Sequence, residues 1–170
     1  MKIYIGADHA GYELKEKLKT YLSELGYEIE DKGAFNYDEN DDYPDFIIPV
    51  AKAVAEGPES EGRRGIILGG GGQGEAMCAN KVSGVRAAVF YGEVLPQSPV
   101  DIKGERSIDS FEVVKLTREH NDANILAIGS RFVSLDEAKF AVELFLATKF
   151  SGDERHIRRI EKIEQLASGN

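Results

Sequence analysis

Gly65-Ile66-Ile67-Leu68-Gly69-Gly70-Gly71-Gly72-Gln73-Gly74-Glu75 is the stretch on which the fold of this chain turns. Its apolar, β-branched opening, bounded by glycine, predicts a short buried strand. Five glycines among residues 69–74 follow; they permit positive φ and leave no Cβ in the way, so backbone N–H groups can converge on one point. A helix expected from about Gly74 adds unsatisfied N–H groups and the positive end of its dipole. Strand, glycine loop and helix make one unit of an α/β fold, and the loop suits an oxyanion or a phosphate. The ionisable side chain within it is Glu75.

A nucleotide phosphate loop would close on Gly-Lys-Ser/Thr, where this chain has Gly74-Glu75-Ala76. Gly69-x-Gly71-x-x-Gly74 has dinucleotide-fingerprint spacing, yet glycine-rich runs match it easily, the strand is the third, and a carboxylate would repel pyrophosphate. A carboxylate beside an anion-stabilising nest reads better as a general base next to the place where negative charge develops. The plain alternative is a Glu paired with a helix dipole.

Working outward, Lys2–Ala7 is a first strand, turned by Asp8-His9-Ala10-Gly11 into a helix whose Leu14, Leu18, Tyr21, Leu22 and Leu25 share one face, with Gly26 as its stop. Tyr27–Asp31 is a second strand. An acidic, aromatic loop from Asn36 to Asp45 leads to a helix opened by Pro44, burying Phe46, Ile47, Val50, Ala51 and Val54 and ending in Glu56-Gly57-Pro58. Val85–Phe90 is the fourth strand, and Gly92–Ser110 a long aperiodic loop of the kind that forms lids or binding segments. A helix from about Ile108, a fifth strand at Ile125–Gly129, a Ser134–Glu137 capping box with its helix, and an amphipathic helix from about Asp153 complete the chain. Strands alternating with helices through five rounds predict a Rossmann-like three-layer α/β/α sandwich on a five-stranded parallel sheet, as one domain over residues 1–170. Ligands of such sheets bind outside the carboxyl ends of the strands. Asp8-His9, the glycine loop, the Gly92 loop and Ser130-Arg131 are therefore expected along one edge.

Of 170 residues, 30 are Asp or Glu and 21 Lys or Arg, a formal charge of −9 that argues against nucleic acid or an anionic membrane as partner. No stretch approaches the roughly 20 apolar residues of a membrane span, and the start of the chain carries no signal-peptide pattern, so a cytoplasmic protein is expected. The lone Cys78 excludes an intrachain disulfide. His9, His120 and His156 stand far apart with no metal motif, and no metal site is expected.

Gly6–Gly11, Asp42-Tyr43-Pro44-Asp45, Gly70–Gly74 with Ala79-Asn80-Lys81, Arg118–Asn124, Gly129-Ser130-Arg131 and Arg155-His156, in that order, resemble the type B ribose-5-phosphate isomerase family, which also includes galactose-6-phosphate and allose-6-phosphate isomerases. The resemblance implies aldose–ketose isomerisation of a phosphorylated sugar, without metal or organic cofactor, in a Rossmann-like dimer or tetramer whose shared sites are completed by the partner subunit, on which the C-terminal helix packs. Many members carry a Cys base where this chain has Gly69; a subgroup uses a Glu at the position of Glu75. Members commonly have Thr or Ser where this chain has Gly71, and the Gly92–Ser110 segment is longer than the family's usual connection.

Such an isomerase needs a base that moves a proton between C2 and C1, and a site for the enediolate oxygen. Glu75 is the base, and the N–H groups from Gly70, Gly71, Gly72 and Gly74 are the oxyanion donors. His120 and His9 are candidates for opening the sugar ring; the resemblance favours His120, with Asn121 binding substrate beside it. Asp8 orients His9 or binds a hydroxyl, or simply caps a helix. Arg131, Arg155 and Arg159 are the phosphate ligands, since the guanidinium fork meets phosphate oxygens in pairs; Arg155 and Arg159 share one helical face. His156 adds a donor, Tyr43 walls the sugar pocket, and Asn80 and Lys81 brace the loop. Ribose 5-phosphate is the first expected substrate, a six-carbon aldose phosphate the second; a non-catalytic sugar-phosphate-binding subunit and a nucleotide-dependent oxidoreductase are the readings from other classes.

Overall fold

A computed structural model describes residues 1–56, 62–102 and 104–167. Chain order is β1 (Lys2–Ala7), α1 (Tyr12–Glu24), β2 (Glu28–Asp31), α2 (Pro44–Ala55), β3 (Arg64–Gly69), α3 (Gln73–Ala79), β4 (Ala87–Phe90), α4 (Glu112–Asn121), β5 (Ile125–Gly129), α5 (Leu135–Ala147) and α6 (Glu154–Ala167). The strands form one parallel sheet in the order β2-β1-β3-β5-β4. Because side chains alternate across a strand, Ile3, Ile5, Ile66, Leu68, Leu126 and Ile128 pack under α1, α4 and α5. Tyr4, Ile67, Ile125 and Ala127 pack under α2 and α3 on the opposite face. The Ile and Leu side chains among these are fully buried, each stabilising the fold by about 1.5–3 kcal/mol. The expected three-layer sandwich is thus observed.

Local signals explain most boundaries. Pro44 stands at the start of α2, and both hydrogen bonds of the Ser134–Glu137 capping box are made at the start of α5. Gly57-Pro58, expected to end α2, lie outside the described residues. Two boundaries differ from expectation by two residues or more. Strand β4 begins at Ala87, because the Val85-Arg86 approach is pinned by side chains: the Asn124 carboxamide oxygen accepts from the Arg86 N–H at 2.8 Å, and Asn80 exchanges two hydrogen bonds with Ala87. Helix α4 begins at Glu112 rather than near Ile108, because Asp109 turns the chain first, its carboxylate accepting from the Phe111 N–H at 2.8 Å. Lys15 is fully buried beside the apolar face of α1, its ammonium paired with Asp31 and Glu16 at 2.7 and 2.8 Å.

Candidate functional site

From β1 the chain winds outward to β2, then returns to lay β3 on the other side of β1. The reversal opens a crevice at the carboxyl ends of β1 and β3, the usual ligand position in such sheets. Asp8-His9 follow β1 there, and the glycine loop follows β3. The loop is stitched to the next strand by hydrogen bonds from Ser130 N–H to the Gly69 carbonyl (2.8 Å) and from Arg131 N–H to the Gly70 carbonyl (3.2 Å). Gly72, the N-cap of α3, has φ +77°, a conformation costly for residues with a Cβ.

Glu75 lies in the first turn of α3 with 5% of its surface exposed. Its carboxylate folds back over Gly69: a Cβ on Gly69 would overlap the carboxylate and approach Glu75 Cγ to 2.8 Å. Burial pushes the Glu75 pKa up and the neighbouring Asp8 charge adds to this, while its own N–H and that of Gly72 pull the other way. A carboxylate so placed is a stronger base than an exposed one. The Tyr43 ring stands against Gly74, 3.3 Å from where a Cβ would be, and the Arg131 guanidinium likewise stands 3.2 Å from a Cβ on Gly70. Asp8 is buried and caps the turn, one carboxylate oxygen accepting from the N–H groups of Ala10 (2.9 Å) and Gly11 (3.1 Å). His9 meets Asp41 through Nδ1 at 2.7 Å. Asp41 belongs to the acidic loop, and sequence reading did not single it out.

The remaining candidates lie elsewhere in the chain. Helix α4 runs antiparallel to the strands, so its C-terminus, with His120 and Asn121, sits at the amino ends of β4 and β5. There the Asp122 carboxylate accepts from Arg86 (2.9 Å) and the Ala123 carbonyl from Arg118 (2.6 Å). The length of β5, Ile125–Gly129, separates that edge from Arg131, on the order of 15 Å at the usual rise of a strand. His120 stacks on His156 of α6, ring centroids 4.3 Å apart and planes 16° from parallel. His156 is buried; its pKa is pushed down by that burial, then by the charges of His120 and Arg155, and its Nε2 accepts from Arg155 Nε at 3.1 Å. Within one chain, therefore, Asp8, His9, Tyr43, Gly70–Gly74, Glu75 and Arg131 form one group at the carboxyl edge of the sheet. His120, Asn121, Arg155, His156 and Arg159 belong to the opposite end of the molecule. Of the side chains on α6 only that of His156 is buried; Ile157, Ile163 and Leu166 are exposed, and a groove of about 740 Å³ runs between α6 and the amino edge of the sheet. Among the described residues no helix is long and apolar enough to cross a membrane.

Comparison with known proteins adds a consistent picture. The family described as Ribose/Galactose Isomerase matches residues 3–97 and 107–163, leaving out part of the long loop after β4. The chain is 40% identical over 166 residues to ribose-5-phosphate isomerase B of Mycobacterium leprae, covering 98% of this chain and 90% of that protein. To ribose-5-phosphate isomerase B of Escherichia coli it is 39% identical over 165 residues, covering 97% and 95%. Among solved structures it resembles ribose-5-phosphate isomerase B of Mycoplasma genitalium with bound ribulose 5-phosphate, with a TM-score of 0.83, 35% identity and coverage of 99% and 97%.

Proposed function

The chain belongs to the ribose/galactose isomerase family, and on that premise we propose that its single domain interconverts ribose 5-phosphate and ribulose 5-phosphate with Glu75 as the base. It is a sugar-phosphate aldose–ketose isomerase. The observation that carries the proposal is the buried Glu75 carboxylate, seated over Gly69 beside the N–H groups of the glycine loop.

In the open-chain aldose, Glu75 takes the proton from C2 and the electrons pass to the C1 oxygen. The resulting enediolate is held by the loop N–H groups, whose dipoles are fixed before charge develops. The C2 hydroxyl proton passes to the C1 oxygen, the protonated Glu75 returns its proton to C1, and the ketose forms with its carbonyl at C2. Arg131 anchors the phosphate, and Tyr43 closes the side of the pocket over Gly74. The chain works as a cytoplasmic homodimer: His120 of the partner subunit opens the ring with Asn121 beside it, and Arg155 and Arg159 of the partner subunit complete the phosphate site. Two observations support this. His120 and Glu75 stand at opposite edges of one sheet, and the exposed apolar residues of α6 need a cover.

A six-carbon aldose phosphate is the second reading, supported by residues 98–106. This part of the loop lies outside the family match, and the loop leaves the sheet at the carboxyl end of β4, the edge that carries Glu75. The test is turnover by wild type and Glu75→Gln on ribose 5-phosphate, allose 6-phosphate and galactose 6-phosphate. Wild type is expected to turn over ribose 5-phosphate fastest, while the variant binds it without turnover. A faster six-carbon sugar selects the second reading, and an inert wild type overturns both.

A further inference from the structure

His9 and Asp41 form a dyad on the rim of the crevice. Asp41 Oδ1 lies 2.7 Å from His9 Nδ1 and also accepts the His9 backbone N–H at 3.1 Å. The Asp41 side chain is 7% exposed, and its Oδ2 is buried with no hydrogen-bond partner. A carboxylate has no proton to give, so the hydrogen on this pair sits on Nδ1. The opposite ring nitrogen, Nε2, is left for other partners. The ring also meets Tyr37 edge-on, centroids 6.4 Å apart, and borders a cleft of about 290 Å³ with Ser130, whose Oγ is buried and without a partner.

We propose that Asp41 is a positioning residue: it locks His9 with Nδ1 inward and Nε2 toward the cleft, so that His9 meets the substrate as a cationic hydrogen-bond donor and not as a proton shuttle. The inference rests on the sugar-phosphate reading above. Every charged neighbour of the ring enters the balance. Asp8 precedes it in the same turn, Glu13 and Lys17 of α1 line the cleft, Asp41 comes from the loop after β2, and Arg131 from the loop after β5. The hydrogen bond to Asp41 and the charges of Asp8 and Asp41 raise the His9 pKa, while desolvation and Arg131 lower it, and the net direction is upward. Two cations on the same edge, His9 and Arg131, match a dianionic phosphate or the oxygens next to it. Ring opening, which requires a group that both gives and takes a proton near neutrality, falls to His120 alone.

The test titrates the histidines of the full chain by NMR, with His9 assigned through His9→Gln, in wild type, Asp41→Asn and Asp41→Glu. Asn keeps an acceptor for Nδ1–H and removes the charge. The expected result is a wild-type midpoint above the usual value of about 6.5, a fall toward it in Asp41→Asn, and recovery in Asp41→Glu. In turnover of ribose 5-phosphate, Asp41→Asn is expected to raise KM above pH 7.5, by about tenfold per pH unit of midpoint lost. That gap should close near pH 6, with kcat little changed. An unchanged midpoint in Asp41→Asn, or a loss in kcat at constant KM, overturns the proposal. Should Asp41→Asn not fold, a wild-type midpoint at or below the usual value overturns it and one above supports it. The titration needs no substrate: wild type inert on every sugar defeats the functional reading, whereas an unchanged midpoint in an active enzyme defeats this inference alone.

Discussion

Glu75 occupies the space that a side chain on Gly69 would fill, so the last residue of β3 and the first turn of α3 constrain each other directly. A Cβ at residue 69 must push the carboxylate out of its seat. Gly69→Ala is therefore expected to fold and to bind sugar phosphate, while losing about 10²-fold in kcat, the usual scale for a misplacement near 1 Å. Steady-state kinetics check this, and an Ala variant as active as wild type would mean that the seat of Glu75 does not matter.

Removing the Glu75 charge should separate activity from stability. Unfolded, this carboxyl titrates near 4.5; folded, it titrates higher. Between the two values the native chain keeps a proton that the unfolded chain has lost, so stability falls as pH rises through that window and the cost persists above it. Glu75→Gln at pH 7 is expected to show a Tm equal to or above wild type, with kcat down by several powers of ten. Differential scanning calorimetry with a turnover assay reads both.

The same direction of shift sets the acid limb of the rate profile. The base acts only when ionised, so wild-type kcat should fall with decreasing pH through a midpoint above 4.5. A kcat flat down to pH 4.5 would remove Glu75 as the base.

Sharing sites between subunits predicts complementation. Glu75→Gln and His120→Asn should each be inactive alone. Mixed one to one with exchange of subunits, half the dimers become hybrids and each hybrid has one intact site of its two, restoring about a quarter of wild-type activity. If the two residues served one site within the same chain, mixing would restore nothing.

Arg118 is expected to be the most sensitive residue of the far cluster to truncation. It is 2% exposed; its guanidinium bonds Asp122 and the Ala123 carbonyl at 2.6 Å each and the Thr148 carbonyl at 3.2 Å. Arg118→Ala should cost about 3 kcal/mol by urea unfolding, because it leaves the Ala123 and Thr148 carbonyls without this donor and opens a cavity beside Phe145, although Asp122 keeps its pairing with Arg86.

The sheet was legible because its central strands repeat the same short apolar runs between helical periods, as in Ile66–Leu68 and Ile125–Ile128. Glu75 was legible because glycine-rich turns leave few side chains to choose among. The place of His120 was not: nothing in its neighbours states which edge it faces, although the direction of α4 against the strands fixes it once the sheet is known. Asp41 escaped because it is one of five acidic residues between Asp38 and Asp45, and composition does not tell which of five folds inward. Lys15 escaped for the opposite reason, a charge placed beside an apolar stripe whose partner, Asp31, lies at the end of the next element, β2.

The separation of Glu75 from His120 by the length of a sheet has a bearing on how the enzyme's output depends on its abundance. On the proposed shared site, a chain that carries both halves but cannot close them on itself works only after meeting another. Below the dimer dissociation constant, doubling the protein should quadruple the rate, and above it the response should return to simple proportion. Newly made or diluted chains would then be catalytically silent, and a dilution series of specific activity would trace the assembly equilibrium without any measurement of size.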